Sequence, residues 1–151
     1  MFDPFKILNL EKCYALDQQT LEKQYFEEQK KCHPDQFSSA TDQEKTDAVK
    51  KSTAVNQAYL MLKNPCLRAE YLLKDMGLET LSHEPSFLGT VMEWNERLER
   101  GEDLKPELLD QEKILCGELE KSFDAKNYEK VRVALYQLIY VQKLLKQSEG
   151  L

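Results

Sequence analysis

The sequence has little of what marks several common protein classes. Glycine and proline number only 5 each among 151 residues, and 41% of residues are hydrophobic, which excludes a collagen-like or wholly disordered chain. No apolar run approaches the roughly 18 residues that a membrane-spanning helix requires. Valine and isoleucine are sparse and no segment alternates apolar with polar residues, so nothing predicts a strand. The acidic start, residues 1–5, lacks the basic character of a secretory or transit peptide, and we expect no targeting segment.

Cysteine usage and charge restrict the chemistry further. The four cysteines include no CxxC pair, so neither a metal site nor a redox motif is expected, and reduced cytosolic thiols are the simpler interpretation. They are Cys13, Cys32, Cys66 and Cys116. Residues 1–75 have a net charge of −1 and residues 76–151 one of −5. The acidic second half argues against nucleic acid or an anionic membrane as the main partner, because both require a basic surface.

Segments rich in Glu, Lys, Leu and Gln predict an all-α protein. Capping residues and helix breakers predict where each helix begins and ends. The expected helices cover about residues 2–8, 18–31, 42–63, 65–76, 86–100, 106–125 and 128–147. The expected N-caps are Asp17, Thr41, Asn64 and Asn127, and Gly77 closes the fourth helix.

Apolar spacing indicates which faces are buried. The second helix is expected to bury a side formed by Leu21, Tyr25, Phe26 and Cys32. The stripe on the third helix comprises Val49, Ser52, Val55, Tyr59 and Leu62. Short connections between the last three helices favour a three-helix bundle. We therefore expect two domains, a helical unit over residues 1–75 and a C-terminal bundle over residues 76–151.

Three motifs carry most of the functional information. His33-Pro34-Asp35 lies between two amphipathic helices, in the manner of the J-domain, the helical hairpin of DnaJ-type co-chaperones. Two further motifs narrow the resemblance to one family of J-domain proteins. They are NPCLRAEYLL over residues 64–73 and MEWNERL over residues 92–98. With the opening residues 5–10, they resemble the HscB family, the J-domain proteins of iron–sulfur cluster assembly, over nearly the whole chain.

The resemblance implies a docking site for a DnaK/HscA-type ATPase chaperone. Pro34 fixes the backbone of the loop, so that His33 and Asp35 present polar groups from a rigid support. A carboxylate at Asp35 is suited to a bidentate arginine on a partner. By the same resemblance, three lysines on the preceding helix support this contact, and the loop stimulates ATP hydrolysis in the chaperone. They are Lys23, Lys30 and Lys31.

The resemblance also implies a second site, for the IscU-type scaffold protein on which clusters are assembled. Phe87, Val91, Trp94 and Leu98 form a core stripe on the fifth helix, and Leu88 and Met92 lie on the neighbouring stripe. A methionine bordered by carboxylates suits an adaptable protein contact. The positions that match the family's scaffold site are Val91, Met92, Asn95, Glu96, Glu99 and Tyr140.

Two other interpretations were compared with this one. An enzyme requires a nucleophile with a base or a metal cage, and the adjacent Cys32 and His33 have no third residue to orient them. Catalysis and a cofactor are therefore not expected. A J-domain protein or helical adaptor with a different client is the alternative. The family's animal mitochondrial members carry a cysteine-rich zinc module before the J-domain, which this sequence lacks, so we expect a bacterial cytoplasmic protein.

Overall fold

Seven helices form the regular structure of the described part of the chain, and the all-α prediction is confirmed. The computed structural model describes residues 2–33, 36, 40–78 and 84–148. No helix among these residues is long and apolar enough to span a membrane. The helices are α1 (Pro4–Ile7), α2 (Gln18–Cys32), α3 (Asp42–Lys63), α4 (Pro65–Asp75), α5 (Pro85–Glu99), α6 (Lys105–Asp124) and α7 (Tyr128–Ser148).

The predicted capping residues begin the helices for the expected chemical reason. Each supplies an oxygen to backbone N–H groups of the first turn, which have no partner within the helix. The Asp17 carboxylate accepts from the N–H of Thr20 at 3.2 Å, and the Thr41 hydroxyl accepts from the N–H of Glu44 at 3.2 Å. The Asn127 side chain accepts from the N–H of Lys130 at 3.3 Å.

The junction between α3 and α4 depends on Asn64 and Pro65. Asn64 has extended dihedrals, and its side-chain oxygen accepts from the N–H groups of Cys66 at 2.9 Å and Leu67 at 3.4 Å. Pro65 occupies the first helical position, where its missing N–H removes no hydrogen bond. After α4, Gly77 has a φ of 74°, a left-handed conformation that favours glycine and ends the helix.

We expect Asn64→Ala to lower the free energy of unfolding by about 1 kcal/mol, because it removes the acceptor from two N–H groups. Urea unfolding followed by circular dichroism measures the change. Asn64→Asp is the matched control, since a carboxylate retains the acceptor. Equal unfolding free energies for the two variants would contradict this role.

The backbone contacts divide the chain into two compact units, residues 1–68 and 69–151. This division falls within α4, and the domain boundary predicted after residue 75 lies at the end of the same helix. In the first unit α3 packs against both α1 and α2, and in the second unit α6 packs against α7. Fully buried side chains in the first unit include Phe5, Leu8, Leu21, Val55 and Leu62. Those in the second include Leu108, Leu119, Val131, Leu135 and Leu138.

Two of the apolar residues assigned to buried faces are exposed instead. Phe26 is 62% exposed on α2 and Val49 is 58% exposed on α3. At 3.6 residues per turn, Phe26 lies about 140° from Leu21 around the helix axis, too far to share its face. On α3 the small side chain of Ala48 occupies the buried position next to Val49.

Candidate functional site

The C-terminal end of α2 forms an exposed corner at His33. Helix α2 ends at Cys32, and His33 has extended dihedrals, φ −64° and ψ 136°, as expected for a residue that precedes proline. The His33 side chain is exposed, and its carbonyl oxygen accepts from the N–H of Gln36 at 3.0 Å. Pro34 and Asp35 lie outside the described residues. The structure thus presents the first residue of the tripeptide to solvent.

The three lysines predicted to support this corner differ in their surroundings. Lys23 and Lys30 are exposed on the outer side of α2. Lys31 Nζ lies 2.7 Å from Glu28 Oε2, and Glu28 is only 8% exposed. The hydrogen bond and the charge of Glu28 raise the pKa of Lys31. Lys31 is therefore engaged within its own helix, and Lys23 and Lys30 are the better placed cations for a partner.

A polar network fixes α2 against α3 and so positions the corner. The Tyr25 hydroxyl donates to Asn56 Oδ1 at 2.8 Å, and Gln29 Nε2 donates to the same oxygen at 2.7 Å. The Ser52 hydroxyl donates to Gln29 Oε1 at 3.1 Å. The ring of Tyr25 also stacks on Tyr59, with centroids 4.2 Å apart. These side-chain contacts restrict sliding of one helix along the other.

Arg68, in the RAEYLL part of the motif over residues 64–73, has a structural role. Its Nη1 donates to the carbonyl oxygen of Leu62 at 2.6 Å, near the C-terminal end of α3, where carbonyl groups have no helical partner. Its guanidinium also lies 4.7 Å from the centroid of the Tyr14 ring, a cation–π contact. Arg68 therefore links the end of α3 to the segment between α1 and α2.

Helix α5 separates a buried stripe from an exposed one. Phe87, Val91 and Trp94 are buried, with Val91 only 7% exposed. The neighbouring stripe is exposed, including Leu88 at 63% and Met92 at 56%. We call this stripe the α5 face. It comprises Leu88, Met92, Asn95, Glu96 and Glu99.

Tyr140 lies on α7 within an aromatic cluster. Its ring makes an edge contact with Phe87 of α5, with centroids 6.0 Å apart, and lies 5.3 Å from Tyr136. Desolvation and a hydrogen bond with Tyr140 raise the pKa of Tyr136. Lys143 Nζ lies 5.6 Å from the centroid of the Tyr140 ring. The half-buried Tyr140 therefore borders α5 in a position fixed by neighbouring rings.

The carboxylates on α5 form no ion pair with any residue that the structure describes. Within the described residues, neither Glu96 nor Glu99 has a cationic partner. Arg97 instead pairs with Glu102 at 3.3 Å and Glu107 at 2.8 Å, beyond the end of α5. The α5 face thus presents an apolar pair, Leu88 and Met92, next to unpaired negative charge.

The described residues contain no group of three or more His, Cys, Asp or Glu side chains arranged to hold a metal ion. Each unit instead carries an exposed surface whose side chains are suited to protein contacts.

The fold and the exposed corner define a J-domain protein, and comparison with known families supports this class. Residues 3–71 match the family model described as the DnaJ domain. Residues 83–149 match the model described as the HSCB C-terminal oligomerisation domain.

The chain belongs to the HscB family of co-chaperones, which confirms the resemblance found in the sequence. It is 36% identical to the co-chaperone protein HscB homolog of Neisseria meningitidis serogroup C, and the match covers 93% of each chain. It is 33% identical to the homolog from Burkholderia thailandensis, covering 93% of this chain and 88% of that protein.

Solved structures of HscB proteins have the same fold. The chaperone HscB from Vibrio cholerae superposes with a TM-score of 0.83 at 26% identity, covering 97% of this chain and 95% of the other. Human co-chaperone HscB superposes with a TM-score of 0.88 at 26% identity, covering 97% of this chain and 80% of the human one.

Proposed function

We propose that this co-chaperone binds an IscU-type scaffold protein, delivers it to a DnaK/HscA-type chaperone and stimulates the ATPase of that chaperone. The setting would be iron–sulfur cluster assembly in the bacterial cytoplasm, with no cofactor and with neither nucleic acid nor a membrane as partner. The observation that carries the proposal is the exposed His33 at the end of α2, in a chain that matches the DnaJ domain over residues 3–71.

Binding alone accounts for stimulation of a partner's ATPase. A protein that contacts one conformation of the chaperone better than another shifts its equilibrium by that difference in binding free energy. His33, Pro34 and Asp35 are assigned to this contact, with Lys23 and Lys30 beside them. A tenfold increase in the hydrolysis rate requires about 1.4 kcal/mol of such preferential stabilisation, which one charge-assisted hydrogen bond supplies.

The α5 face is assigned to the scaffold. Met92 supplies flexible apolar area, while Glu96 and Glu99 supply charge that favours a partner surface with basic residues around an apolar depression. Asn95 and Tyr140 border this area with polar groups. Val91 is only 7% exposed, so we assign it a supporting role within the buried stripe of α5 rather than a direct contact.

Carrying both surfaces on one chain has a kinetic consequence. A scaffold bound to the second unit is tethered to a chaperone docked on the first. Tethering through short connections gives effective concentrations of about millimolar. Delivery therefore needs no separate diffusional encounter between scaffold and chaperone.

We expect Met92→Ala to weaken IscU binding about tenfold, since it removes a large exposed apolar side chain from the centre of the α5 face. Glu96→Ala should weaken binding less, and its effect should decrease with added salt. Isothermal titration of purified IscU into each variant measures the dissociation constants, and unchanged values for both variants would contradict the assignment.

Two controls make this titration specific. Leu109→Ala removes a 45% exposed leucine from α6, outside the α5 face, and should leave the affinity unchanged. Val91→Ala should instead lower the free energy of unfolding by roughly 2 kcal/mol. If wild type stimulates the chaperone but does not bind IscU, the chain is a J-domain protein with a different client.

A further inference from the structure

Phe26 has no role in the core or in the tripeptide, yet it is a prominent feature of the surface. Its side chain is 62% exposed, whereas Leu21 on the same helix is buried. On α3, Val49 and Leu60 are exposed to a similar extent, at 58% and 63%. A single exposed apolar side chain needs no explanation by itself. Two features distinguish Phe26 from an exposed apolar side chain without a function. They are the neighbouring side chains that hold its ring and its position relative to His33.

Phe26 projects from a rigid support. Its ring lies 5.7 Å from the ring of Tyr25, which stacks on Tyr59 at 4.2 Å and donates to Asn56 at 2.8 Å. The support therefore includes residues from both α2 and α3. An aromatic ring held in this way loses little conformational entropy when a partner covers it, which favours binding.

The ring lies on the same side of α2 as the two available lysines. Lys23 precedes Phe26 by three residues and Lys30 follows it by four, the spacing of neighbours on one helical face. His33 follows seven residues after Phe26, about 10 Å along the helix axis. An ordinary protein interface covers about 800 Å² of each partner, roughly 30 Å across. A partner that covers His33 over such an area also reaches Phe26.

Charge on this side of α2 is too small to supply most of the affinity. Lys31 is paired with Glu28, and Glu27 lies between Lys23 and Lys30 in the sequence. Exposed charges of this kind contribute mainly to association rate and are screened by salt. Aromatic side chains, by contrast, are among the residues that most often dominate binding free energy.

We propose that Phe26 is the apolar anchor of the chaperone-docking surface and that it determines affinity, whereas His33 determines stimulation. The partner would offer an apolar pocket with carboxylates nearby to meet Lys23 and Lys30. This inference rests on the proposed function, because the partner is the same DnaK/HscA-type chaperone.

The test measures the ATPase rate of the chaperone as a function of the concentration of the full-length chain. We expect Phe26→Ala to raise the concentration for half-maximal stimulation about tenfold with the maximal rate unchanged. Phe26→Leu, which retains apolar volume, should recover most of the loss. Leu60→Ala is the matched control, because Leu60 is 63% exposed but lies on α3. It should behave like wild type.

The outcomes separate this inference from the proposed function. If Phe26→Ala matches Leu60→Ala while His33→Gln still loses stimulation, the anchor is wrong and the function stands. If wild type gives no stimulation, both fail. If Phe26→Ala changes the sedimentation coefficient of the chain or its IscU affinity, but not half-maximal stimulation, then Phe26 contacts a second copy or the scaffold and the anchor is again wrong.

Discussion

We expect His33→Gln to reduce chaperone ATPase stimulation to less than about a tenth of the wild-type increment. His33 is an exposed, extended residue at the end of α2, where a partner can contact it. Glutamine is also polar but lacks the imidazole ring and its two nitrogen atoms. The loss should appear as a reduced maximal rate that higher concentrations of the variant do not restore. The measurement is steady-state phosphate release at saturating ATP.

A control variant tests whether His33→Gln loses stimulation merely because the chain unfolds. Gln36→Ala alters a neighbouring exposed side chain while keeping the N–H that donates to the His33 carbonyl oxygen at 3.0 Å. Both variants should retain the wild-type urea midpoint, since substitutions of exposed side chains usually change stability by less than about 0.5 kcal/mol. Full stimulation by His33→Gln would contradict the role of this corner in docking.

The helix ends could be predicted from sequence because capping is local chemistry. Asp17 and Thr41 act within three residues of the N–H groups that they accept from, so no knowledge of the fold is needed to recognise them. Pro65 and Gly77 are equally informative, because their backbone restrictions hold in any context. The same locality predicts the end of α2 at His33, because Pro34 follows it, and His33 is indeed the extended residue after that helix.

Which side chains are exposed, and which are engaged by neighbours, could not be predicted from the sequence because it depends on the folded chain. Residue type predicts Phe26 on the buried side of α2, but its angular position places it among the lysines, and it is 62% exposed. The pairing of Lys31 with Glu28, and the contact of Arg68 with Tyr14, depend on which neighbours the folded chain brings near. Counting charges or apolar residues along the sequence does not reveal which of them are engaged by other side chains and which face solvent.

We expect Leu135→Ala to cause a large loss of stability, about 2–5 kcal/mol in the free energy of unfolding. Leu135 is fully buried on α7, and its truncation leaves a cavity that the packed α6–α7 pair cannot easily fill. The single tryptophan, Trp94, is 5% exposed in the same unit, so its fluorescence reports unfolding there during urea titration. Leu109→Ala makes the same change at an exposed leucine and should shift the midpoint little, and equal midpoints for the two variants would contradict the prediction.

Leu135→Ala also distinguishes an effect on folding stability from an effect on IscU binding at the α5 face. Because typical stabilities are about 5–15 kcal/mol, Leu135→Ala should remain mostly folded without urea and bind IscU with nearly wild-type affinity. Its binding should then fail at a urea concentration that wild type still tolerates, since only the folded state positions Tyr140 beside α5. Met92→Ala should show the opposite behaviour, with weaker binding at every urea concentration and an unchanged unfolding midpoint. If both variants weakened binding in parallel without urea, Leu135 would itself influence the scaffold contact rather than only the population of the folded bundle.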